Sequence, residues 1–599
     1  MPVPAFQQRR YGSCPRQKPI GAVFEQGGHI TFSHTTKEDH MNDIRRTILW
    51  AAFAFSMVLL WDQWQLHNGK PATFFPAPVK TAEAPSTKPA DKGASDNKAN
   101  DVPASSNTMA GNVPNQTTQS QPVQRQKVDI QTDLLKLSFD TEGASLIKTE
   151  LLKYSDAENP EHSVVLLDQS KARLYLSQSG LIAPQGAMPT HKTNYNWVSG
   201  PTAFKEGESE IKVRFASDVI NQVQLIKTYT IARHSYAMTV EHEVVNQGAT
   251  ALAPQLYVQL LRDGNPPPGE SSFYSTFTGP AIYTPAQKYQ KVEFSEIEKN
   301  KANFEKKADQ GYVAMVQHYF ASAWILPNDL PREFFARKVD NNLYSVGMIA
   351  TLKEIAPGQS QKINAQFYVG PQEEKKLEAL YPGLELVKDY GWLTILAKPL
   401  YWLLDNLNQL LHNWGWSIVA LVLMLKMAFY WLNAQAYRSM AKMKAINPKV
   451  MEMRERIKDT PQQMQMEMMK IYREEKVNPL GGCFPIAIQI PVFIALYWVL
   501  LSTVEMRNAP WILWVHDLSA KDPFYILPVL MTATTMLQTW LNPTPPDPVQ
   551  AKLMWIMPLA FSVMFFVFPA GLVLYWLTNN ILSIAQQWLI NKQMGVLGK

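Results

Sequence analysis

The sequence predicts a multi-pass α-helical membrane protein with six spans and a large antiparallel β-sandwich domain outside the membrane. Three features of the 599 residues indicate this architecture. A short apolar run follows two arginines near the N-terminus, a strand-like alternation of period two fills the middle, and strongly apolar segments dominate from about residue 415 to 590. The average composition, 46% hydrophobic and 18% charged, therefore conceals two different regions and argues against a single cytosolic enzyme.

The N-terminal region predicts a membrane anchor. Residues 1–40 are polar and show no period, and we interpret them as an upstream extension before the true start at Met41. In 41–67, two arginines precede the apolar run Thr47–Trp61, as in a signal peptide or a short anchor. No small-x-small cleavage pattern follows the run, so we favour an uncleaved anchor with its N-terminus in the cytoplasm.

The exported part consists of a linker and a β-domain. Residues 68–127 are rich in Pro, Ala, Ser, Thr, Asn, Gln and Lys and predict a disordered linker. Residues 128–371 predict a large antiparallel β-sandwich, because apolar and polar residues alternate between turns rich in Gly, Pro and Asn. The alternation is clearest at Ile211, Val213 and Phe215; at Tyr236, Met238, Val240, His242 and Val244; and at Ile363, Ala365, Phe367 and Val369.

The membrane part begins with residues 372–413, which predict amphipathic helices on the outer membrane face. Residues 414–599 then predict a core of five spans. The five apolar segments are Ser417–Asn433, Cys483–Ser502, Phe524–Leu541, Leu553–Phe568 and Gly571–Ile590. The loop Ala434–Asn478 carries ten Lys/Arg against six Asp/Glu, whereas Val504–Pro523 carries two against three. The positive-inside rule thus assigns the first loop and both chain termini to the cytoplasm.

The cytoplasmic loop, 434–478, predicts an antiparallel helical hairpin interrupted near Pro461. Methionines are unusually frequent in it, and flexible, polarizable side chains suit surfaces that accept varied apolar partners. We expect client contacts from Met440, Met443, Met466 and Met469. The alternative is that the methionines only fill the seam of the hairpin.

Lys426 is the most informative single residue, because it is the one formal charge within its predicted span. A charge at the centre of a span costs roughly 2.5–3.5 kcal/mol on insertion scales, and such residues usually face a bundle interior or a watery cavity. Snorkelling to the cytoplasm is the alternative, but helical side chains point toward the N-terminus of their helix, here the outer side. We therefore predict a hydrated site at Lys426, with polar lining from Gln489 and from Thr578, Asn579 and Asn580.

Several classes of chemistry lack support in the sequence. The two cysteines, Cys14 and Cys483, lie far apart, and the histidines show no metal-ligand spacing, so we expect no disulfide and no metal. Basic residues are scattered rather than gathered in a stripe, which argues against nucleic-acid recognition. Known catalytic and nucleotide-binding fingerprints are missing from credible contexts, and we expect neither an enzyme nor a cofactor.

Three motifs closely resemble the YidC membrane-protein insertases of Gram-negative bacteria. They are Asn478–Pro485 (NPLGGCFP), Leu513–Leu518 (LWVHDL) and Phe568–Trp576 (FPAGLVLYW). Met41–Trp64 resembles the N-terminal anchor of that family, so the resemblance extends over the chain from Met41. It implies six spans in the bacterial inner membrane, a periplasmic β-supersandwich, and an ATP-independent insertase and chaperone that works alone or with the Sec translocon.

The resemblance also implies partners and site residues. Its clients are nascent inner-membrane proteins, and the ribosome is a partner, weakly here because the tail after Asn591 carries only two lysines. A positive residue, usually arginine, sits in a hydrophilic groove of the family, and the alignment places Lys426 there. Lysine keeps the charge but lacks the planar guanidinium. The other implied groove residues are Gln489, Phe493, Trp576 and Thr578, with tryptophan at 576 where tyrosine is more usual.

Two other functions compete with insertion. A solute or lipid transporter with a periplasmic sugar-binding domain is the first, because the family's β-domain resembles sugar mutarotases; the spans, however, show no inverted repeat. A scaffold for envelope assembly is the second, but it leaves the cost of burying Lys426 unexplained.

Overall fold

The structure, a computed structural model, describes residues 101–104, 125–156, 158–184, 186–269, 276–328, 330–457, 460–477, 484–545 and 548–595. All of them belong to one contact unit of the chain, Leu60–Lys599. The extension 1–40, the anchor 41–67 and most of the linker 68–127 lie outside the described residues, and their interpretations stay predictions.

The β-domain consists of two nine-stranded antiparallel sheets within the described ranges. Sheet one has the spatial order β1 (Lys127–Gln131), β2 (Leu135–Asp140), β3 (Ser145–Ser155), β4 (Ser163–Gln169), β5 (Leu174–Ile182), β10 (Gln255–Asp263), β17 (Leu343–Thr351), β16 (Arg332–Asp340) and β13 (Lys307–Ala308). Sheet two has the order β12 (Lys288–Lys291), β11 (Gly279–Thr284), β14 (Tyr312–Gln317), β15 (Phe320–Ile325), β18 (Ser360–Pro371), β9 (Ala237–Asn246), β8 (Val223–Ala232), β7 (Glu210–Ser217) and β6 (Tyr195–Ser199). The predicted antiparallel β-sandwich is thereby confirmed.

The alternation in the sequence explains which face of each strand is buried. Successive side chains of a strand point to opposite faces, so residues two apart share the core face. On β7, Ile211, Val213 and Phe215 are buried in the core cluster, while Glu210, Lys212 and Arg214 are exposed. On β9 and β18 the same pattern continues across the sheet, where Met238 pairs with Phe367. Hydrophobic burial thus fixes the register of these three strands.

The remaining part of the chain is helical. One short helix, α1 (Phe294–Glu298), lies within the β-domain. After β18 come α2 (Glu374–Leu380), α3 (Thr394–Leu411), α4 (Trp414–Ala428), α5 (Tyr430–Arg456), α6 (Pro461–Glu474), α7 (Phe484–Ser502), α8 (Ile526–Leu541), α9 (Pro548–Met564) and α10 (Ala570–Gln593). Among the described residues, three 3₁₀ turns lie between these helices: Leu384–Val387, Gly391–Leu393 and Val504–Met506.

The first apolar segment differs from its prediction as one straight span. Asn413 caps α4 by accepting a hydrogen bond from the Trp416 amide at 3.0 Å, and the helix ends at Ala428. There the chain bends by 70° into α5. Among the described residues, no unbroken helix combines the length and the apolar character needed for a bilayer crossing, whereas α4 and α5 taken together do. The count of six spans therefore stays a prediction.

The loop for which a cytoplasmic hairpin is predicted contains two helices that pack together, α5 and α6, and its position in the cytoplasm stays a prediction. Ile446, Val450 and Met453 are buried, as their spacing on one helical face predicts. Lys449 on α5 forms an ion pair with Glu475, which follows α6. The helices are separated by the short break before Pro461, which occupies the first position of α6, where its missing N–H costs nothing.

The segment with the amphipathic pattern forms helix α3 in the structure. Its buried residues Ala397, Tyr401 and Leu404 join the apolar core of α4, α7 and α10. Its other side leaves Ile395 and Trp402 88% and 65% exposed. Such exposed apolar residues fit the predicted membrane surface, although that placement stays a prediction.

The segment after α7 joins the helices to the β-domain. Val504 is buried in the core cluster of the sandwich. Arg507 donates a hydrogen bond to the Ser155 carbonyl at 2.6 Å and lies over the Tyr319 ring. His318 lies 2.9 Å, through Nε2, from the Leu501 carbonyl. These contacts orient α7, and with it one wall of the candidate site, relative to the sandwich.

Candidate functional site in the helical core

Lys426 lies in the last turn of α4, two residues before the helix ends. The residue is only 8% exposed, and its Nζ donates a hydrogen bond to Ser583 Oγ on α10 at 2.7 Å. Ser583 Oγ in turn donates to the Asn579 carbonyl, one turn earlier on the same helix, at 2.7 Å. The lysine side chain is therefore directed across the helical core toward α10.

A cavity borders Lys426 where α4, α5, α7 and α10 meet. Its volume is about 30 Å³, which is room for about two water molecules. The residues that line it are Val422, Leu425, Lys426, Phe429, Leu432, Asn433, Gln489, Val492, Tyr575 and Asn579. Gln489 Nε2 donates to Asn579 Oδ1 at 3.2 Å, which places two amide groups on the wall. The cavity therefore combines one ammonium group, three amide side chains and an apolar remainder.

The charge of Lys426 is not neutralised within the described part of the chain. Its described polar contact is the Ser583 hydroxyl, and no described Asp or Glu forms an ion pair with it. An ammonium group has three donors, so Lys426 retains capacity for further acceptors. The arrangement suits transient attraction of an anionic or polar group from water or from a passing chain.

The other predicted groove residues lie at different distances from this cavity. The Phe493 ring stacks on Tyr575 at 6.0 Å and meets Trp576 edge-on at 4.6 Å, and Trp576 also contacts Phe565. These rings form an aromatic cluster that adjoins the cavity through Tyr575. Thr578 Oγ1 donates to the Leu574 carbonyl of its own helix at 2.8 Å. The structure thus brings Lys426 and Gln489 together on the cavity wall. Phe493 and Trp576 lie in the adjoining aromatic cluster, whereas the Thr578 hydroxyl is bonded within its own helix.

Several residues of the site were not identified from the sequence, among them Asn433 and Tyr575 on the cavity wall and Ser583, which accepts the hydrogen bond from Lys426. Ser583 follows Asn579 by four residues on α10, and residues four apart lie on the same helical face. That spacing was a signal that could have found Ser583. Asn580 is directed to another neighbour, because its Nδ2 donates to Thr535 Oγ1 on α8 at 2.9 Å. For Tyr575 the sequence held no distinguishing signal.

The predicted client contacts on the hairpin fall into two pairs. Met440 and Met443 on α5 are half-buried, whereas Met466 and Met469 on α6 are 66% and 50% exposed. The exposed pair lines a shallow surface depression together with Gln462, Gln465, Lys470 and Arg473. The sequence alternative, a seam filled by methionines, therefore does not account for Met466 and Met469, but their contact with a client stays a prediction.

The described residues include no candidate metal site. Within those ranges, no three His, Cys, Asp or Glu side chains are grouped so that they could hold a metal ion.

Comparison with known proteins covers both parts of the chain. The family described as YidC periplasmic domain matches residues 127–403, and the family described as 60Kd inner membrane protein matches residues 406–596. The chain is also similar to a solved crystal structure of an active YidC insertase, at 18% identity and a TM-score of 0.36, over 77% of this chain and 91% of that one.

Relatives in other bacteria are similar over nearly the full length. The membrane protein insertase YidC of Janthinobacterium sp. (strain Marseille) is 49% identical, over 93% of this chain and 100% of the relative. The protein of the same name from Ralstonia nicotianae is 52% identical, over 92% of this chain and 98% of the relative. With both domain families matched and about half of all residues identical, the chain belongs to the YidC family of inner-membrane protein insertases.

Proposed function

We propose that this protein inserts nascent inner-membrane proteins, and helps them fold, through a hydrophilic groove centred on Lys426. The observation that carries the proposal is a buried ammonium group, without a described carboxylate partner, on the wall of a cavity large enough for water. In this proposal the chain crosses the membrane six times, with both termini in the cytoplasm and the β-sandwich in the periplasm. It works alone or beside the Sec translocon, with weak contact to the ribosome.

The mechanism rests on differential solvation of the client. A polar, acidic client segment would cross hydrocarbon at high cost, because an unpaired charge in a medium of low dielectric constant is strongly disfavoured. Lys426 attracts such a segment into the site, where Gln489 and Asn579 supply amide groups in place of water. The apolar part of the client meanwhile remains on the lipid side. The hydrophilic segment thus never meets the full hydrocarbon thickness.

Two further features support this path. Short apolar segments favour a locally thinned bilayer, which shortens the remaining distance. The exposed Met466 and Met469 supply adaptable apolar contact for an emerging chain before it reaches the site. Release into lipid is downhill, driven by apolar burial and by the membrane potential, so no nucleotide is required.

The test measures protease-protected insertion of a single-span client with an acidic external tail into liposomes that contain the purified protein alone. Lys426→Leu should reduce the initial rate roughly tenfold or more, because a favourable charge interaction of about 1.4 kcal/mol is a tenfold effect. Lys426→Arg should stay near the wild-type rate, since it keeps the charge. Lys552→Leu, which removes an exposed lysine at the start of α9, is the matched control and should have little effect.

A second client separates electrostatic attraction from general damage. When the acidic residues of the tail are replaced by glutamine, wild type and Lys426→Leu should insert it at similar rates, because the charge then has no counterpart. Equal insertion of the acidic client by wild type and Lys426→Leu would refute the role of Lys426. The groove would then have to act through its hydration alone.

A further inference from the structure

A short part of the predicted linker, residues 101–104, is docked on the β-sandwich. The Asp101 carboxylate lies 3.0 Å, through Oδ2, from His191 Nε2 and also forms an ion pair with Lys192. The Asp101 side chain is 19% exposed, and Pro103 is buried. Residues of a linker composition usually remain in solvent. This segment instead has specific partners far away in the sequence.

The sandwich also binds the backbone of the segment. Arg337 on β16 donates hydrogen bonds to two successive carbonyls, through Nη2 to Asp101 and through Nη1 to Val102, the latter at 3.2 Å. Gln259 Nε2 on β10 donates to the Asp101 carbonyl at 3.3 Å. One guanidinium group that donates hydrogen bonds to two consecutive carbonyls fixes the direction of the bound segment as well as its position. Recognition therefore combines one acidic side chain with the backbone beside it.

The residues that bind the segment are themselves held in place. Gln259 is fully buried and also donates, through Nε2, to Gln178 Oε1 at 2.8 Å, while Ser345 donates to Gln259 Oε1 at 3.2 Å. Side chains locked by such second contacts present their donors in one orientation. The binding face is thus a built site rather than a chance encounter of surface groups.

A chain of hydrogen bonds sets the ring orientation of His191. The Tyr257 hydroxyl accepts from the His191 backbone N–H at 3.1 Å and lies 2.6 Å from the His191 Nδ1 atom. Burial raises the pKa of Tyr257 far above its usual value, so the hydroxyl keeps its proton and donates a hydrogen bond to Nδ1. The Nε2–H group of His191 is then free to donate to Asp101.

The floor of the site depends on two glycines. A Cβ at Gly180 would lie 2.6 Å from the Tyr257 hydroxyl oxygen, and a Cβ at Gly347 would lie 2.4 Å from the Phe335 ring. Only glycine lets these rings lie against the strands at both places. Gly180, Tyr257, Gln259 and Gly347 occupy neighbouring strands β5, β10 and β17. The site therefore lies on one face of sheet one.

Electrostatics favour an acidic residue in this position. Burial raises the pKa of the Asp101 carboxyl, but the hydrogen bonds from His191 and Lys192 and the charge of Lys192 outweigh burial and hold the pKa well below its usual range. Asp101 is thus bound as the anion, where charge-assisted hydrogen bonds are strongest.

We propose that sheet one carries a binding site for a short acidic peptide segment and that this chain fills it with its own residues Asp101–Ala104, which pins the linker to the sandwich. The tether that can reach the membrane anchor then consists of residues 68–100 instead of 68–127. Its maximum reach falls from about 200 Å to about 110 Å. The site thus limits how far the periplasmic domain and the anchor can separate.

The test measures a distance distribution by electron-spin resonance in the full-length protein. Cys14 and Cys483 are replaced by serine, and spin labels are attached to cysteines at the exposed positions 104 and 212. A docked segment predicts a narrow distribution. Asp101→Ala and Arg337→Gln should each lower the docked fraction roughly tenfold and broaden the distribution, because each removes charge-assisted hydrogen bonds. Asp96→Ala, at another aspartate of the linker, is the matched control and should leave the distribution narrow.

Two results would overturn the proposal. The first is a broad distribution in the unsubstituted protein, and the second is a narrow one that survives both Asp101→Ala and Arg337→Gln. Amide exchange of β10 and β16 shows whether either variant has damaged the sandwich. The measurement does not involve insertion, so its outcome is independent of the proposed function.

Discussion

Two buried lysines, Lys227 in the β-sandwich and Lys426 in the helical core, occupy opposite kinds of surroundings. Lys227 lies on β8, is fully buried, and donates to the carbonyls of Gly143 and Ser179 at 2.6 and 2.8 Å. Its Nζ also lies 4.8 Å from the centre of the Tyr195 ring. Lys426 has one described hydrogen bond, to a hydroxyl, and faces a cavity. Neither lysine forms an ion pair with a described carboxylate.

The difference shows that burial of a lysine does not by itself indicate function. Two carbonyls and one ring contact the ammonium group of Lys227 from several sides, so this side chain links β8 to the backbone of sheet one. Lys426 keeps donors available and has open space beside it. The free hydrogen-bonding capacity, rather than the charge, distinguishes a lysine that can act on a client from one that holds the fold together.

Replacement of the two lysines should differ most in its effect on the free energy of unfolding. Lys227→Met leaves two buried carbonyls without their donor, so the free energy of unfolding of the sandwich should fall by about 2–4 kcal/mol. Lys426→Leu should change the stability of the helical core by less than about 1 kcal/mol, because Ser583 keeps its bond to Asn579 and a buried charge is removed. Hydrogen–deuterium exchange of β8 and α10 amides in the reconstituted protein measures both effects.

Lys212→Met, at an exposed lysine on the adjacent strand β7, provides the control and should cost less than about 0.5 kcal/mol. If Lys426→Leu destabilised its region as strongly as Lys227→Met, the two lysines would both be structural and the comparison would fail.

The pH dependence of sandwich stability gives a smaller effect. Burial lowers the pKa of Lys227 to about 7, against 10.5 in an unfolded chain. Between these values the unfolded state binds more protons, so the free energy of unfolding should rise with pH, by about 1–3 kcal/mol from pH 7 to 9.5. Lys227→Met should flatten this rise, as measured by amide exchange corrected for the intrinsic rate at each pH.

Other groups do not obscure this pH window. Burial lowers the pKa of His242 to about 3 and that of His318 to about 4, so both are neutral above pH 7. Buried tyrosines such as Tyr229 have raised pKa values and begin to lower the stability as the pH nears 10, but equally in both proteins, so their effect cancels when the variant is compared with wild type. Burial also lowers the pKa of Lys306, but Lys306 is present in both proteins, so its effect cancels when Lys227→Met is compared with wild type. An unchanged slope in Lys227→Met would show that Lys227 is charged in the folded protein throughout.

The smallest effect concerns the partner of Lys426. Ser583→Ala removes the hydroxyl but not the charge or the cavity, so the insertion rate of the acidic client should change less than about threefold. Ser562→Ala on α9, whose hydroxyl bonds to its own helix, is the matched control. A loss of insertion rate as large as that of Lys426→Leu would mean that Ser583 must position the ammonium group. That result would contradict the proposal that the unused hydrogen-bond donors of Lys426 act on the client.

The sequence predicted the elements of this protein better than the arrangement of its site. Period-two alternation identified β7, β9 and β18, because one face of each strand must be buried. The helical hairpin and α3 followed in the same way from period 3.6. The bend after Ala428 was missed, because residues on both sides of it are apolar or helix-forming and the sequence has no proline or glycine there.

In the site, the sequence singled out Lys426 because a charge in an apolar segment is costly wherever the segment lies. It also proposed Gln489 and Asn579, which line the cavity with Lys426. It could not find the bond to Ser583, which lies 157 positions away, nor the bond that directs Thr578 back to its own helix. Those facts depend on how α4, α7 and α10 pack against one another.

The sequence by itself thus determined the class of the protein, several of its strands and helices, and the residue whose burial requires an explanation. Local periodicity and the cost of a buried charge are properties of the chain alone, so they can be read before folding. Only the tertiary structure decided which lysine has unused donors, and where Asp101 binds. Both depend on contacts between residues distant in the sequence, whose partners follow from packing geometry rather than from pattern.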